Sequence, residues 1–312
     1  MQTAPLHADL AKGPDGGQAF WLVAADGVRL RAGLWRAASA EKGTVLLFPG
    51  RTEYIEKYGP AAGELAARGY ATLCVDWRGQ GLADRLLPDP LPGHVLDFAD
   101  YQKDVAALLA FAEGQALPRP WHLLAHSMGG AIGLRALLNG LPVASAAFSA
   151  PMWGIAIPAW KRPVARIVTT LACALGRAAA YAPENGPVPY VQEAPFTGNM
   201  LTSDPEGYSF QQGHLAAVPG LALAGPTMLW LKLALAECRA LARMPAPALP
   251  ALATLGSHER IVDPAAIRAR MARWPGARLL EIEGGEHEVM METPPRRAAF
   301  YAAATALFDA NR

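Results

Sequence analysis

The stretch Leu123–Gly130, LLAHSMGG, sets a serine between a short apolar run and a pair of glycines. It falls one residue short of the G-x-S-x-G elbow, because Ala125 stands where the first glycine belongs. Upstream, WHLLA (121–125) is short and continuously apolar, as a fully buried strand is. Downstream, MGGAIGLRALLNG (128–140) carries a helical pattern. Ser127 therefore falls at a strand-to-helix turn, the setting the elbow requires, with small residues at 125 and 129 that let strand and helix approach closely. Serine is also a favoured N-cap, so the competing reading of Ser127 is a plain helix cap.

Working outward, five more short apolar runs resemble buried strands: TVLLF (44–48), YATLCV (70–75), VASAAFS (143–149), LPALATL (249–255) and ARLLEIE (277–283). Helix-like segments separate most of them, which predicts a mostly parallel sheet with helices on both faces. Ahead of these, AFWLVAA (19–25) and VRLRAGLWRA (28–37) flank Asp26-Gly27, the chemistry of a tight hairpin turn. The alternation breaks once, over 152–246, where PVARIVTTLACALG (163–176) and PTMLWLKLALAECRAL (226–241) read as apolar helices of an inserted cap. The expected organisation is a loose arm over 1–17, a core over 18–151, the cap over 152–246, and the rest of the core over 247–312.

Composition narrows the function classes. The chain has 312 residues, enough for one large α/β domain with an insertion. Its 28 Lys plus Arg against 27 Asp plus Glu leave a net charge of +1, which gives no footprint for nucleic acid. Cys74, Cys173 and Cys238 lack paired spacings, so no zinc site is expected and a reducing compartment fits. The first residues show no basic region followed by an apolar stretch, so no secretory signal is read there. The longest nearly uncharged apolar stretch, 214–231, is interrupted by Pro219, Gly220, Gly225 and Pro226 and cannot be one membrane-spanning helix.

A serine hydroxyl needs a base oriented by a third group, and in sheet folds of this kind the chain order is serine, acid, histidine. Of seven histidines only His287 follows the last predicted strand, in EGGEHEVMMETPP (283–295). His122 lies inside a strand, His126 points elsewhere if the elbow is formed, and His7, His94, His214 and His258 have no matching position. The acid should come from GSHERIVDP (256–264), where Glu259 and Asp263 compete. Asp263 precedes Pro264 and the helical pattern AAIRARMARW, so it already reads as an N-cap. Donors for an oxyanion should be the backbone N–H of Met128, next to the serine, and that of Arg51, beside Gly50 in FPGRTEYIEKY (48–58). Pro49 has no N–H to offer.

The combination of AHSMGG, DWRGQGLADR, FPGRTEYIEKY, GHVLDFADYQKDV and GSHERIVDP resembles the α/β-hydrolase family, in its monoacylglycerol lipase and lysophospholipase branch. The resemblance covers roughly 18–309, including the cap. It implies the α/β-hydrolase fold, Ser127 as nucleophile, Glu259 as acid, His287 as base, and the N–H groups of Arg51 and Met128 as the oxyanion hole. It further implies hydrolysis of a carboxylic ester through an acyl-serine intermediate, with neither metal nor organic cofactor. Two departures stand out: Ala125 replaces the elbow glycine, and Phe48-Pro49-Gly50 replaces the common His-Gly pair. Asp76, Arg78 and Gly79 match a family segment that organises a loop, and are read as structural.

Within the cap, Trp153, Trp160, Trp230, Met152 and Met228 offer apolar surface for an acyl chain, although each could equally pack the cap's own core. Seven Lys plus Arg against five Asp plus Glu over 151–246 would suit an anionic headgroup, which Arg51 could contact at the mouth. A monoacylated lipid or other small acyl ester is the expected substrate, in a cytoplasmic protein with room for transient membrane-surface contact. Two alternatives remain open. An aminopeptidase on the same scaffold would use acids such as Glu184, Glu193, Asp204 and Glu206 for a free amine. A ligand-binding receptor would keep the shell without turnover.

Overall fold

The computed structural model describes residues 2–37 and 41–312. Nine strands form one sheet: β1 (Thr3–Ala4), β2 (Gln18–Val23), β3 (Arg29–Trp35), β4 (Gly43–Phe48), β5 (Tyr70–Asp76), β6 (Trp121–His126), β7 (Ser145–Ser149), β8 (Ala251–Gly256) and β9 (Arg278–Ile282). Their order is β1-β2-β3-β5-β4-β6-β7-β8-β9. The first three pair antiparallel and β3 meets β5 antiparallel, while every pairing from β5 onward to β9 is parallel. The β2–β3 hairpin turns at Asp26-Gly27, where Gly27 adopts φ +85°, a conformation open to glycine at no steric cost.

The apolar runs of β4 to β8 become strands buried on both faces because each feeds two cores, whereas β9, read from the sequence as a buried strand too, is the sheet edge with Arg278 and Glu281 exposed. In β4, Leu46 and Phe48 join one hydrophobic cluster while Val45 and Leu47 join the other, as the two-residue period of a strand requires. The first cluster is closed by the helices Tyr101–Gly114 and Met128–Leu138 through Val105, Leu108, Ile132 and Leu134. The second is closed by Gly59–Ala66 and Pro294–Asp309 through Leu65, Phe300 and Phe308.

Between β7 and β8 the chain leaves the sheet and forms the helices Lys161–Ala174, Pro205–Ala217 and Met228–Arg243. The last is only partly a cap element, since its Trp230, Ala234, Cys238 and Leu241 belong to the main core. No described helix is long and apolar enough to cross a membrane.

The segment expected as a loose arm is instead fastened. Thr3 pairs with Phe20, and Ala8–Ala11 forms a helical turn whose Ala11 is buried. Arg31 Nη1 donates to the Pro5 carbonyl at 2.9 Å and His214 Nε2 to that of Leu10 at 2.8 Å. A methyl on Gly59 would lie 1.9 Å from the Ala11 carbonyl oxygen, so the seat for this turn exists only because residue 59 lacks a side chain. Asp76 and Arg78 are structural, as read from the sequence. Asp76 pairs with buried Arg31 at 2.7 Å, and Arg78 bonds to Asp104 at 2.7 Å and Asp26 at 2.8 Å.

Candidate active site

At the carboxyl end of β6, Ser127 has φ +49° and ψ −119°, and the next residue opens the helix Met128–Leu138. A left-handed non-glycine residue of this kind costs on the order of 1–3 kcal/mol and persists only where its surroundings over-determine it. They do. Ser127 N–H donates to the Ser149 carbonyl at 3.1 Å, and the Ser127 carbonyl accepts from Gly130 and Met152 N–H, both at 2.8 Å. A methyl on Gly129 would sit 2.1 Å from the Phe48 carbonyl oxygen, so this elbow position admits glycine alone. The other elbow position holds Ala125, fully buried, facing Gly133, where an added methyl would crowd Leu123 Cδ2 at 2.9 Å and meet the Ala125 methyl in ordinary contact at 3.4 Å. The Ser127 side chain caps no helix N–H, which removes the plain-cap reading.

Its hydroxyl meets His287 instead. Ser127 Oγ lies 2.9 Å from His287 Nε2, and His287 Nδ1 lies 2.7 Å from Glu259 Oε2. A carboxylate only accepts, so Nδ1 carries the ring proton and Nε2 presents its lone pair to the serine. The second oxygen, Glu259 Oε1, accepts N–H groups of Ile261 at 2.6 Å and Val262 at 3.0 Å, which fixes the carboxylate's rotation. Burial alone would raise the Glu259 pKa, but the imidazole and the two N–H groups outweigh it and hold the group below its ordinary value. Burial would likewise lower that of His287, but Glu259, with Glu288 and Glu53 behind it, outweighs this and raises it.

Asp263, the competing acid, makes no bond to His287. It caps the helix Pro264–Met271 through Ala265 N–H at 3.0 Å and pairs with Arg162 at 2.7 Å. The acid and histidine loops approach because Gly256 ends β8 without a side chain: a methyl there would lie 2.2 Å from the Gly285 carbonyl oxygen.

The loop after β4 runs beside the serine, since a methyl on Gly50 would come within 3.1 Å of Ser127 Cβ. Among the described residues, the backbone N–H groups of Arg51 and Met128 donate to no protein acceptor. The Arg51 side chain is tied down, donating to the Ala224 carbonyl at 2.8 Å with its guanidinium 5.6 Å from the centre of the Trp230 ring. Burial lowers its pKa to about 10.

Ser127 and His287 open into a cavity of about 690 Å³ walled by Met152, Ile157, Trp160, Val168 and Trp230, with Arg51 also in its lining. Trp230 thus lines the cavity as expected. Trp153 does not: it is buried in the core, its Nε1 donating to the Gly130 carbonyl at 3.0 Å and its ring 5.0 Å from that of Phe148. The indole is drawn inward because the chain is still packed on the sheet just after β7. Met228 is also absent from the lining. His126, expected to point away, has its ring 4.9 Å from that of His287 and reaches the cavity, while its Nδ1 donates to the Ser149 carbonyl. Sequence reasoning also missed Glu53, Lys57 and Glu288 in the lining; the i, i+4 spacing of Glu53 and Lys57 was the available signal. Among the described residues, no group of three or more His, Cys, Asp or Glu is placed to hold a metal ion.

Residues 39–294 match the model of the Hydrolase_4 family, described as "Serine aminopeptidase, S33". The chain is 34% identical over 299 residues to "Lysophospholipase L2" of Escherichia coli K12, covering 91% of this chain and 85% of the relative. "Probable lysophospholipase L2" of Haemophilus influenzae is 30% identical over 257 residues, covering 81% and 80%. Among solved structures, a soluble variant of monoglyceride lipase from Saccharomyces cerevisiae, in complex with a substrate analog, superposes with a TM-score of 0.74 at 20% identity, covering 96% of this chain and 98% of that one. A thermostable carboxyl esterase from Bacillus coagulans gives 0.74 at 13% identity, covering 96% and 99%. These likenesses show the α/β-hydrolase fold.

Proposed function

The chain belongs to the Hydrolase_4 family of α/β-hydrolases, and from that membership we propose that it cleaves the carboxylic ester of a monoacylated lipid through an acyl-serine intermediate. One observation carries the reading: the Ser127 hydroxyl, 2.9 Å from a correctly protonated His287, faces a large and mostly apolar cavity. Relatives named lysophospholipase and a neighbour named monoglyceride lipase support the ester of a single acyl chain as the substrate class.

The steps follow from the geometry. Ser127 Oγ attacks the acyl carbon while His287 Nε2 takes its proton, and Glu259 holds the ring and stabilises the imidazolium. The carbonyl oxygen becomes an oxyanion beside the unengaged N–H groups of Met128 and Arg51. The tetrahedral intermediate collapses, the imidazolium gives its proton to the departing alcohol, and Ser127 is left acylated. Water, deprotonated by the same imidazole, attacks the acyl-serine, and as this second intermediate collapses the imidazolium returns the proton to Ser127 Oγ, releasing the carboxylic acid and restoring the free serine.

The aminopeptidase reading keeps its place through the family's description, but the cavity gives it little. Of its four acids only Glu184 and Glu193 reach the lining, and Glu184 lies 3.7 Å from Lys161. Asp204 caps its own helix and pairs with Arg297. The receptor reading gives no reason for a base aligned on a serine.

We further propose transient contact with a lipid surface. Val164, Ile167, Leu171 and Leu175 form an exposed apolar stripe at helical spacing, with Lys161, Arg162 and Arg166 beside it. The three cysteines are free thiols, which supports a cytoplasmic setting. Fluorophosphonate labelling of the wild type and of Ser127→Ala, then turnover of a lysophospholipid, a monoacylglycerol and an aminoacyl amide, tests the reading. Loss of labelling in the variant with turnover of the esters is expected; labelling that survives, or turnover of the amide alone, overturns it.

A further inference from the structure

Beside the reacting pair lie three ionisable side chains that the acyl-transfer steps do not use. Glu53, Lys57 and Glu288 are each at most 4% exposed. Lys57 Nζ donates to Glu53 Oε1 at 2.8 Å and to Glu288 Oε1 at 2.6 Å, so one ammonium bridges two carboxylates 235 residues apart in sequence. Each carboxylate holds a different part of the site. Glu53 Oε2 accepts the Gly50 N–H and the Tyr58 hydroxyl, and so orients the peptide next to Arg51, whose own N–H stays free. Glu288 follows His287 directly, and its Oε2 accepts from Gln211 Nε2 of the cap helix Pro205–Ala217 at 2.6 Å.

Burying two carboxylates and one ammonium is costly, and apolar residues of similar volume often fold as well or better. The cluster therefore asks for a purpose beyond stability. We propose that Lys57 is a positioning residue that sets the spacing between the loop of Gly50 and Arg51 and the loop of His287, acting through Glu53 and Glu288. This rests on the reading of Ser127 and His287 as the reacting pair. The two loops carry the oxyanion donor and the base, which must reach the carbonyl oxygen and the Ser127 hydroxyl at the same moment. Misplacement by about 1 Å is enough to cost on the order of a hundredfold in rate.

The bridge also acts on the base electrically. His287 bonds to the Glu259 carboxylate, stands beside the ring of His126 and feels the charges of Glu288 and Glu53, with Lys57 bridging these last two acids. Glu288 is among the groups that raise the His287 pKa, so neutralising it should shift the acidic limb of kcat/KM to lower pH.

The test is a double-mutant cycle on Glu53→Gln and Glu288→Gln, with kcat, KM and the rate of fluorophosphonate labelling measured for each, and Lys57→Met alongside. The two carboxylates meet through Lys57, so their effects on kcat should be coupled by roughly fivefold or more. Lys57→Met should lower kcat and the labelling rate together by roughly 30- to 100-fold with KM little changed. Glu288→Gln alone should move the acidic limb downward, which a merely structural role would not do. Additive losses in the cycle, or an unmoved limb, overturn the proposal even if Lys57→Met fails to fold. An unlabelled wild type would instead overturn the functional reading, so the two failures are distinguishable.

Discussion

Substituting Glu259 by Gln changes one atom and should nearly abolish turnover. In the native site Oε1 accepts two backbone N–H groups, at 2.6 and 3.0 Å, while Oε2 accepts His287 Nδ1–H at 2.7 Å. A glutamine has one acceptor oxygen and one NH2, so it must choose. Turning the NH2 toward Ile261 and Val262 would leave two buried N–H donors facing a donor, at about 1–3 kcal/mol for each unsatisfied group. Turning it toward His287 costs less, because the imidazole can move its proton to Nε2 and accept at Nδ1. That tautomer points an N–H at Ser127 Oγ and has no lone pair left for the hydroxyl proton. The equivalent acid-to-amide swap in a chymotrypsin-type triad loses about 10⁴ in kcat with the geometry intact. The expectation here is on the order of 10³- to 10⁴-fold in kcat, about 4–5.5 kcal/mol, with little change in melting temperature. The assay is kcat on a chromogenic octanoyl ester, with thermal unfolding as control. Asp263→Asn is the companion: asparagine caps as well as aspartate, and only the half-exposed pair with Arg162 is lost, so kcat should stay within about threefold. A Glu259→Gln enzyme within tenfold of wild type, or an Asp263→Asn enzyme that loses more than it, would refute the tautomer argument.

The acidic limb of kcat/KM should fall above the ordinary histidine value of 6.5, because His287 must be neutral to act and its neighbours raise its pKa; activity rises as pH climbs through that limb, and a midpoint below 6.5 counts against the assignment. From acetyl to octanoyl esters kcat/KM should climb by up to about 0.8 kcal/mol per methylene until the cavity fills, and a flat series would remove the acyl tunnel. Trp153→Ala should cost about 3–5 kcal/mol of stability, as a core indole does, without changing that chain-length preference, whereas Trp230→Ala should change the preference. Gly129→Ala should lower both kcat and melting temperature, since its methyl meets the Phe48 carbonyl oxygen at 2.1 Å; a variant with normal kcat would show that the elbow can relax.

The sheet and the elbow were legible in the sequence because both are written locally. Apolar runs of five to seven residues mark strands that feed two cores, and Ser127 is flanked by a buried strand and a helical pattern within fifteen residues on either side. What escaped was held at long range. The N-terminal segment has no periodicity of its own, and its seat is a glycine at 59, a guanidinium at 31 and a histidine at 214. Trp153 and Trp230 look alike in sequence and both pack in the main core, yet only Trp230 also lines the cavity, because the insertion leaves the sheet gradually and returns to it before its last helix ends. Lys57 meets Glu288 across 231 positions, a pairing that no local pattern announces.

These long-range contacts also bear on how the cap and the chemistry communicate. Glu288 N–H donates to the Leu201 carbonyl at 2.7 Å and His287 N–H to that of Met200 at 3.3 Å, so the backbone of the proposed base hangs partly on the cap. Asn199 stiffens that cap segment by accepting N–H groups of Leu201 at 2.8 Å and Thr202 at 3.1 Å, and Glu292 clamps Ser203 from the histidine side at 2.9 and 2.6 Å. Gln211 adds a third link through Glu288. Met200 and Leu201 line the cavity, so an acyl chain filling it would touch them. Contacts at the far end of a bound acyl chain would then be made on the segment that holds the histidine loop, which is the arrangement needed for remote contacts to raise kcat and not only to lower KM.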